Sequence, residues 1–221
     1  MIDPNILAYL NDLQPSENDL VGQMKEEAKR DHVPIMEQQG ISFLQQLIRI
    51  KQPDKILEIG TAIGYSSLMM LEAKEDMLIT TVERNKEMIE RAKYYIQAQE
   101  KTSHIEIIEK DALEAEVEIK DRSPFDIIFI DAAKGQYQRF FQLYEPYLKD
   151  DGMIITDNVL FKGLVATKDN ENKRLQKIAN KINQYNQWLI EHPMYHTTVL
   201  PIGDGVAISV KNKQRCDIDD K

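Results

Sequence analysis

Hydrophobic and polar positions along this chain change their period near residue 53. Before that point the spacing is helical. Asp3-Pro4 reads as a cap and first-turn pair for a helix through about Leu13, and Ser16 with Asp19 resembles a capping box for a second. A third helix is expected over about 36–50, where Ile41, Leu44, Leu47 and Ile48 share one apolar face, and Pro53 ends it. Beyond it, short apolar runs alternate with helical patterns. KILEIG (55–60), LITTVE (78–83), HIEIIE (104–109), FDIIFID (125–131) and GMIITD (152–157) read as strands, with helices over 65–73, 86–99 and 136–148. The nearly unbroken FDIIFI run suits a central parallel strand covered on both faces. A long helix over about 171–190, with Leu175, Ile178, Ile182 and Leu189 inward, precedes two β runs flanking Gly203-Asp204-Gly205, an antiparallel hairpin.

The pattern predicts an α/β protein: a doubly wound, mostly parallel seven-stranded sheet with an antiparallel C-terminal hairpin and extra N-terminal helices. Neither repeats nor low-complexity segments interrupt it. At 221 residues the chain suits one domain, divided into N-terminal helices (1–52), a Rossmann-like core (53–211) and a polar tail (212–221).

Composition narrows the picture. Hydrophobic content of 42% and charged content of 29% are ordinary for a globular protein. No apolar run approaches a membrane span, and the N-terminus lacks a basic start followed by an apolar stretch, so neither membrane nor signal peptide is expected. The single cysteine, Cys216, excludes an internal disulfide and fits a reducing cytoplasm. A net charge of −9 does not attract polyanions, which makes a small-molecule enzyme the default. The charge is uneven, however. Over 162–181, Lys162, Lys168, Lys173, Arg174, Lys177 and Lys181 outnumber Asp169 and Glu171 by four, whereas 106–118 is strongly acidic.

Candidate chemistry gathers at the strand ends. After the first strand, Gly60 and Gly64 stand four apart, allowing a tight turn and close approach of a ligand to the backbone. The middle glycine of a dinucleotide fingerprint is absent, so the turn suits a nucleoside without pyrophosphate. Glu83 closes the second strand, where an acid accepts hydrogen bonds from ribose hydroxyls, and Asp111-Ala112 follows the third, beside a place for adenine. Taken singly, each of these also suits a structural turn. The fourth strand runs into Asp131-Ala132-Ala133-Lys134 and the fifth into Asp157-Asn158. Asp131, Asp157 and Asn158 offer only hard oxygen ligands, suited to Mg²⁺ or a similar ion, while His32, His104, His192 and His196 are scattered and support no zinc site.

The segments EIGTAIGYSS, FIDAAKGQY, TDNVL and GDGVAIS resemble those of the catechol O-methyltransferase-like, metal-dependent methyltransferases, and the likeness runs from about Ile35 to Val210. The resemblance implies a class I methyltransferase using S-adenosylmethionine and Mg²⁺ (or Mn²⁺ or Ca²⁺). Asp131, Asp157 and Asn158 would bind the metal. Ser66, Glu83, Asp111, Ala112 and Asp131 would contact the cofactor, together with Met36 and the Gly60 turn. Lys134 would serve as base or electrostatic stabiliser beside Asp131. Within the family the chain is most similar to the bacterial tRNA 5-hydroxyuridine methyltransferases, which implies a wobble-position acceptor in the anticodon loop and a homodimer. A small catechol is the alternative acceptor, and a non-catalytic binding protein on the same fold is a third reading. For RNA, the basic stretch, helped by Lys25, Lys29, Arg30, Arg49 and Lys51, would meet phosphates. Tyr65, Tyr137 or Phe161 could stack on a splayed base, although core packing suits aromatics equally, and 161–170 would cover the acceptor.

Overall fold

A computed structural model describes residues 3–14, 18–167 and 172–212. Three helices open the chain: α1 (Pro4–Asp12), α2 (Asp19–Arg30) and α3 (Gln38–Lys51). Asp3 caps α1 as expected, accepting from the Asn5 amide at 2.8 Å. Ser16 lies outside the described residues; the side chain that caps α2 is Asn18, which accepts from the Val21 amide at 2.9 Å. The α3 helix stops before Pro53, where Gln52 turns left-handed (φ 52°) and donates its amide to Ile48.

The core then alternates β1 (Lys55–Ile59), α4 (Tyr65–Ala73), β2 (Leu78–Glu83), α5 (Lys86–Ala98), β3 (Ile105–Glu109), α6 (Glu116–Lys120), β4 (Phe125–Ile130), α7 (Tyr137–Tyr144), β5 (Leu148–Thr156), α8 (Lys173–Ile190), β6 (Tyr195–Leu200) and β7 (Val206–Lys211). One seven-stranded sheet runs β3-β2-β1-β4-β5-β7-β6. Its first five strands are parallel and the hairpin pairs antiparallel through β7 on β5, as the alternation predicted.

Period-2 alternation sorts side chains to the two faces. Ile56, Ile127, Phe129 and Ile155 pack with Met24, Ile41, Leu44 and Ile48, while Leu57, Ile59, Ile128 and Ile130 pack with Phe141, Tyr144, Ile182 and Leu189. Every residue of β4 is buried, which is why its sequence is apolar without a break. Each such isoleucine contributes roughly 1.5–3 kcal/mol by leaving water.

Three details correct the sequence reading. The helix expected over 136–148 is shorter: 3-10 turns at Lys134–Gln136 and Glu145–Tyr147 bracket α7, because Pro146 has no N–H with which to continue it. The fifth strand accordingly begins at Leu148 rather than Gly152. Helix α6 lies within the acidic stretch; only Ile119 among its five residues is buried, so it has no apolar period to read. Among the described residues no helix is long and apolar enough to cross a membrane. Lys168, Asp169, Glu171 and Cys216 lie outside the described residues.

Candidate active site

The strand order reverses between β1 and β4, so the carboxyl ends of β2, β1, β4 and β5 open on one crevice. A cavity of about 930 Å³ there is lined by Met36, Gly60, Ser66, Glu83, Asp111 and Ala112 on one side. Asp131, Lys134, Asp157 and Asn158 line the same cavity, so the structure brings every predicted site residue together.

The turn after β1 explains its glycines. Gly60 sits at φ 105°, and a Cβ there would lie 2.1 Å from the Asp131 carbonyl oxygen. Only glycine lets the β1 and β4 exits approach so closely. Gly64 (φ 82°) forms the N-cap of α4 and donates its amide to the Thr61 carbonyl at 2.8 Å. Glu83 holds the turn from outside: one carboxylate oxygen accepts from the Ala62 amide at 3.1 Å and the other from the Arg84 and Asn85 amides at 2.9 Å. Its remaining lone pairs are available to hydroxyl donors. Asp111 accepts from the Leu113 amide at 2.9 Å and from Arg84 at 2.7 Å, and these bonds hold its carboxyl below the usual range, the amide contributing most.

Beneath the turn lies Glu58, which the sequence reading left unassigned. It is 0% exposed and accepts hydroxyl hydrogen bonds from Ser66, Ser67 and Thr81. Burial nevertheless pushes its pKa up to about 7. Ser66 therefore lines the cavity with its hydroxyl already given to Glu58. Met36 is both a core residue and a wall of the cavity.

At the opposite end Asp157 is 2% exposed. The Asp157 amide donates to the Ile130 carbonyl at 3.0 Å and its own carbonyl accepts from the Tyr137 hydroxyl at 3.0 Å, which fixes the β5 exit against β4. Burial first, then the charge of Asp131, raises the Asp157 carboxyl; burial raises Asp131 as well. Lys134 is the cation whose charge works against both shifts. Its ammonium donates to Asn158 Oδ1 at 2.7 Å, and Asn158 Nδ2 donates to Asp157 at 3.1 Å. The residues fit a divalent cation: two repelling, desolvated carboxylates and an amide oxygen give an all-oxygen donor set with a charge deficit that one ammonium does not cancel. Among the described residues no three His, Cys, Asp or Glu side chains are placed to hold a metal ion by themselves.

Asp204 was missed. It lines the cavity, its charge raises Asp157, and it lies in the turn between β6 and β7. That turn grips the chain after Asn158. The Leu160 amide donates to the Asp204 carbonyl at 2.9 Å, Val159 to Gly205 at 3.0 Å, and the Lys162 amide to the Asp204 carboxylate. Gly205 (φ 91°) makes the approach possible, since a Cβ would sit 2.3 Å from Leu160 Cγ. The gripped stretch is strained, with Asn158, Phe161 and Lys162 at φ 58°, 47° and 54°. The segment GDGVAIS carries part of the family resemblance, but an acid between two glycines reads as a turn and assigns Asp204 no role.

Several accessory expectations need correction. Tyr137 is buried, packs at a tilt against Tyr185 and donates its hydroxyl to the Asp157 carbonyl, so no base can stack on it. Tyr65 lines the cavity but is also buried; Phe161 is the half-buried aromatic there. Arg49 and Lys51 sit at the end of α3 that leads into the start of β1, the sheet edge away from the crevice, and Lys51 pairs with Asp151 at 2.7 Å. Arg30 pairs with Asp31. Of the histidines, His32 lines the cavity and His192 packs among Phe141, Trp188 and Tyr195.

A model of the O-methyltransferase family matches residues 12–212. The chain belongs to that family. Membership carries S-adenosylmethionine-dependent O-methyl transfer of the type that includes the caffeoyl-CoA enzymes. A caffeoyl-CoA O-methyltransferase of Populus kitakamiensis is 27% identical over 213 residues, covering 90% of this chain and 89% of that protein. A Staphylococcus aureus structure, provisionally named a caffeoyl-CoA O-methyltransferase, superposes with a TM-score of 0.88 at 41% identity, covering 93% and 98% of the two chains. The SAH-bound Podospora anserina methyltransferase PaMTH1 superposes with a TM-score of 0.82 at 25% identity, covering 95% and 94%.

Proposed function

We propose that residues 1–221 form one unit that transfers the methyl group of S-adenosylmethionine to a hydroxyl flanked by a second oxygen on the same acceptor. The observation that carries this reading is the pair of desolvated carboxylates, Asp131 and Asp157, the second tied through Asn158 to Lys134, in the cavity that also holds the glycine turn and Glu83. Asp131, Asp157 and Asn158 would hold Mg²⁺, or Mn²⁺ or Ca²⁺. Such a cation supplies charge that stabilises an oxyanion and eases loss of the acceptor proton.

The chain's own residues do the rest. Lone pairs left on Glu83 accept the ribose hydroxyls, Asp111 and Ala112 border the adenine, and Gly60, Ser66 and Met36 shape the wall against the remainder of the cofactor. Asp131 spans both halves, next to the sulfonium and to the acceptor. Lys134 spends one N–H on Asn158 and keeps others for the acceptor oxygen, stabilising its negative charge as it attacks the methyl carbon in line. The hydroxyl's proton passes to solvent, the carbon–sulfur bond breaks as the oxygen–carbon bond forms, and S-adenosylhomocysteine leaves neutral. Holding both partners at contact supplies several kcal/mol of the barrier, on the order of 7–11 at best.

For the acceptor we take 5-hydroxyuridine at the tRNA wobble position, whose 5-hydroxyl adjoins the O4 carbonyl; the product is 5-methoxyuridine. Phe161 and Lys162 at the cavity support this, one as a surface for a splayed base and the other for its phosphate. A small catechol is the second reading, favoured by the caffeoyl-CoA name of the Populus relative and by the net charge of −9. A homodimer is supported by Ile6 and Tyr9 on α1 and Leu13 at its C-cap, exposed at helical spacing, and cytoplasmic action by the lone cysteine.

The test is Asp157→Ala with S-adenosylmethionine binding followed by calorimetry. Transfer should be abolished and cofactor affinity largely kept. Undiminished transfer by EDTA-treated wild type would overturn the cation-assisted reading.

A further inference from the structure

Helix α8 carries two parallel rows of side chains on its outer face. Lys173, Lys177 and Lys181 recur every four residues, and Gln176, Asn180 and Gln184 do the same beside them. Residues four apart lie about 6 Å along a helix axis, so the ammonium row is about 12 Å long. These six side chains line a groove of about 420 Å³ that contains no apolar residue. The three lysines and the neighbouring Arg174 are exposed, and among the described residues no carboxylate pairs with any of them. The row carries positive charge in a chain whose net charge is −9.

Its position matters more than its charge. Lys181 reaches the turn that follows β4: its ammonium lies 3.4 Å from where a Cβ on Gly135 would be, and Gly135 follows Lys134 directly. The same helix holds the far side of the acceptor segment through Asn186, whose amide donates to the Val159 carbonyl at 2.8 Å. The lysine row therefore starts beside the acceptor end of the cavity and leads away from it along α8.

We infer that this face of α8 is a docking surface for a single RNA strand, the lysine row meeting consecutive phosphates and the amide row the ribose and base edges beside them. The inference rests on the RNA reading of the acceptor. A polymer whose target base is inserted beside Asp157 must continue outside the cavity, and α8 offers the cationic path adjoining that end. The groove is walled by the aliphatic stems of these lysines and amides, but with no hydrophobic or aromatic side chain among the six it lacks the anchors that the interface core of a folded protein partner needs. A periodic cationic row does suit a linear polyanion.

The experiment combines Lys173→Gln, Lys177→Gln and Lys181→Gln in the full chain. Binding of a fluorescein-labelled anticodon stem-loop transcript is followed by anisotropy across a salt series. Losing three phosphate contacts on a single strand should lower the slope of log K against log salt by about 2 and weaken binding on the order of tenfold near physiological salt. Melting temperature and S-adenosylmethionine affinity should not change, since all three side chains are exposed and outside the catalytic cavity. An unchanged slope and affinity would overturn the surface, as would a wild type that binds phosphatidylserine vesicles but not the RNA. If the variant loses RNA binding while wild type methylates no 5-hydroxyuridine, the surface stands and the acceptor assignment falls. If wild type and variant methylate a 5-hydroxyuridine stem-loop with equal KM, the acceptor stands and the surface falls.

Discussion

Replacing Glu58 with glutamine should flatten the pH dependence of stability. This carboxyl is 0% exposed, and its hydrogen-bond donors are three neutral hydroxyls, on Ser66, Ser67 and Thr81. Desolvation outweighs those donors, with the nearby charge of Asp131 adding to it, and the pKa rises from 4.5 to about 7. An acid whose folded value lies above its unfolded one binds its proton more tightly in the folded state. Its contribution is therefore fully present below about 4.5 and is lost as pH rises to about 7, the reverse of a salt-bridged carboxylate. At about 1.4 kcal/mol per pH unit, that interval amounts to about 3 kcal/mol. Glutamine keeps the shape but cannot titrate. Whatever it costs in hydroxyl pairing is the same at every pH, so the comparison lies in the slope. Urea unfolding of wild type and Glu58→Gln between pH 4.5 and pH 8 measures it: the difference in stability between the two should shift by about 3 kcal/mol across the range. Parallel curves would refute the buried-acid account.

Two other substitutions probe the two ends of the cavity. Gly60→Ala drives a Cβ to within 2.1 Å of the Asp131 carbonyl oxygen and should abolish S-adenosylmethionine binding by calorimetry; unchanged affinity would mean the turn yields without cost. Asp204→Ala frees the Lys162 amide and loosens the strained stretch after Asn158, so acceptor KM should rise on the order of tenfold with cofactor affinity unchanged. An equal rise for both substrates would make Asp204 merely structural.

Much of this site is legible in the chain because parallel strands deliver residues to one edge. Once KILEIG, LITTVE and FDIIFID are read as strands, the exits carrying Gly60, Glu83 and Asp131 must converge. What escapes such reading depends on contacts distant in sequence. Glu58 looks like an ordinary polar position in a strand, and its burial follows from α4 folding its serines back over β1. Asp204 acquires a role only when the hairpin closes on Leu160, 44 positions earlier in the chain. The basic groups of α3 were misassigned for a related reason: helical period reveals which face is buried, but not that the C-terminal end of α3 lies at the far edge of the sheet.

The central claim is cation-assisted methyl transfer to 5-hydroxyuridine. The most direct measurement is transfer from labelled S-adenosylmethionine, with Mg²⁺ and again with EDTA, to tRNA carrying 5-hydroxyuridine and to a simple catechol in parallel. Mg²⁺-dependent labelling of the tRNA, well above that of the catechol, is the predicted result. Labelling of the catechol alone would contradict the acceptor, and full labelling in EDTA would contradict the role given to Asp131, Asp157 and Asn158.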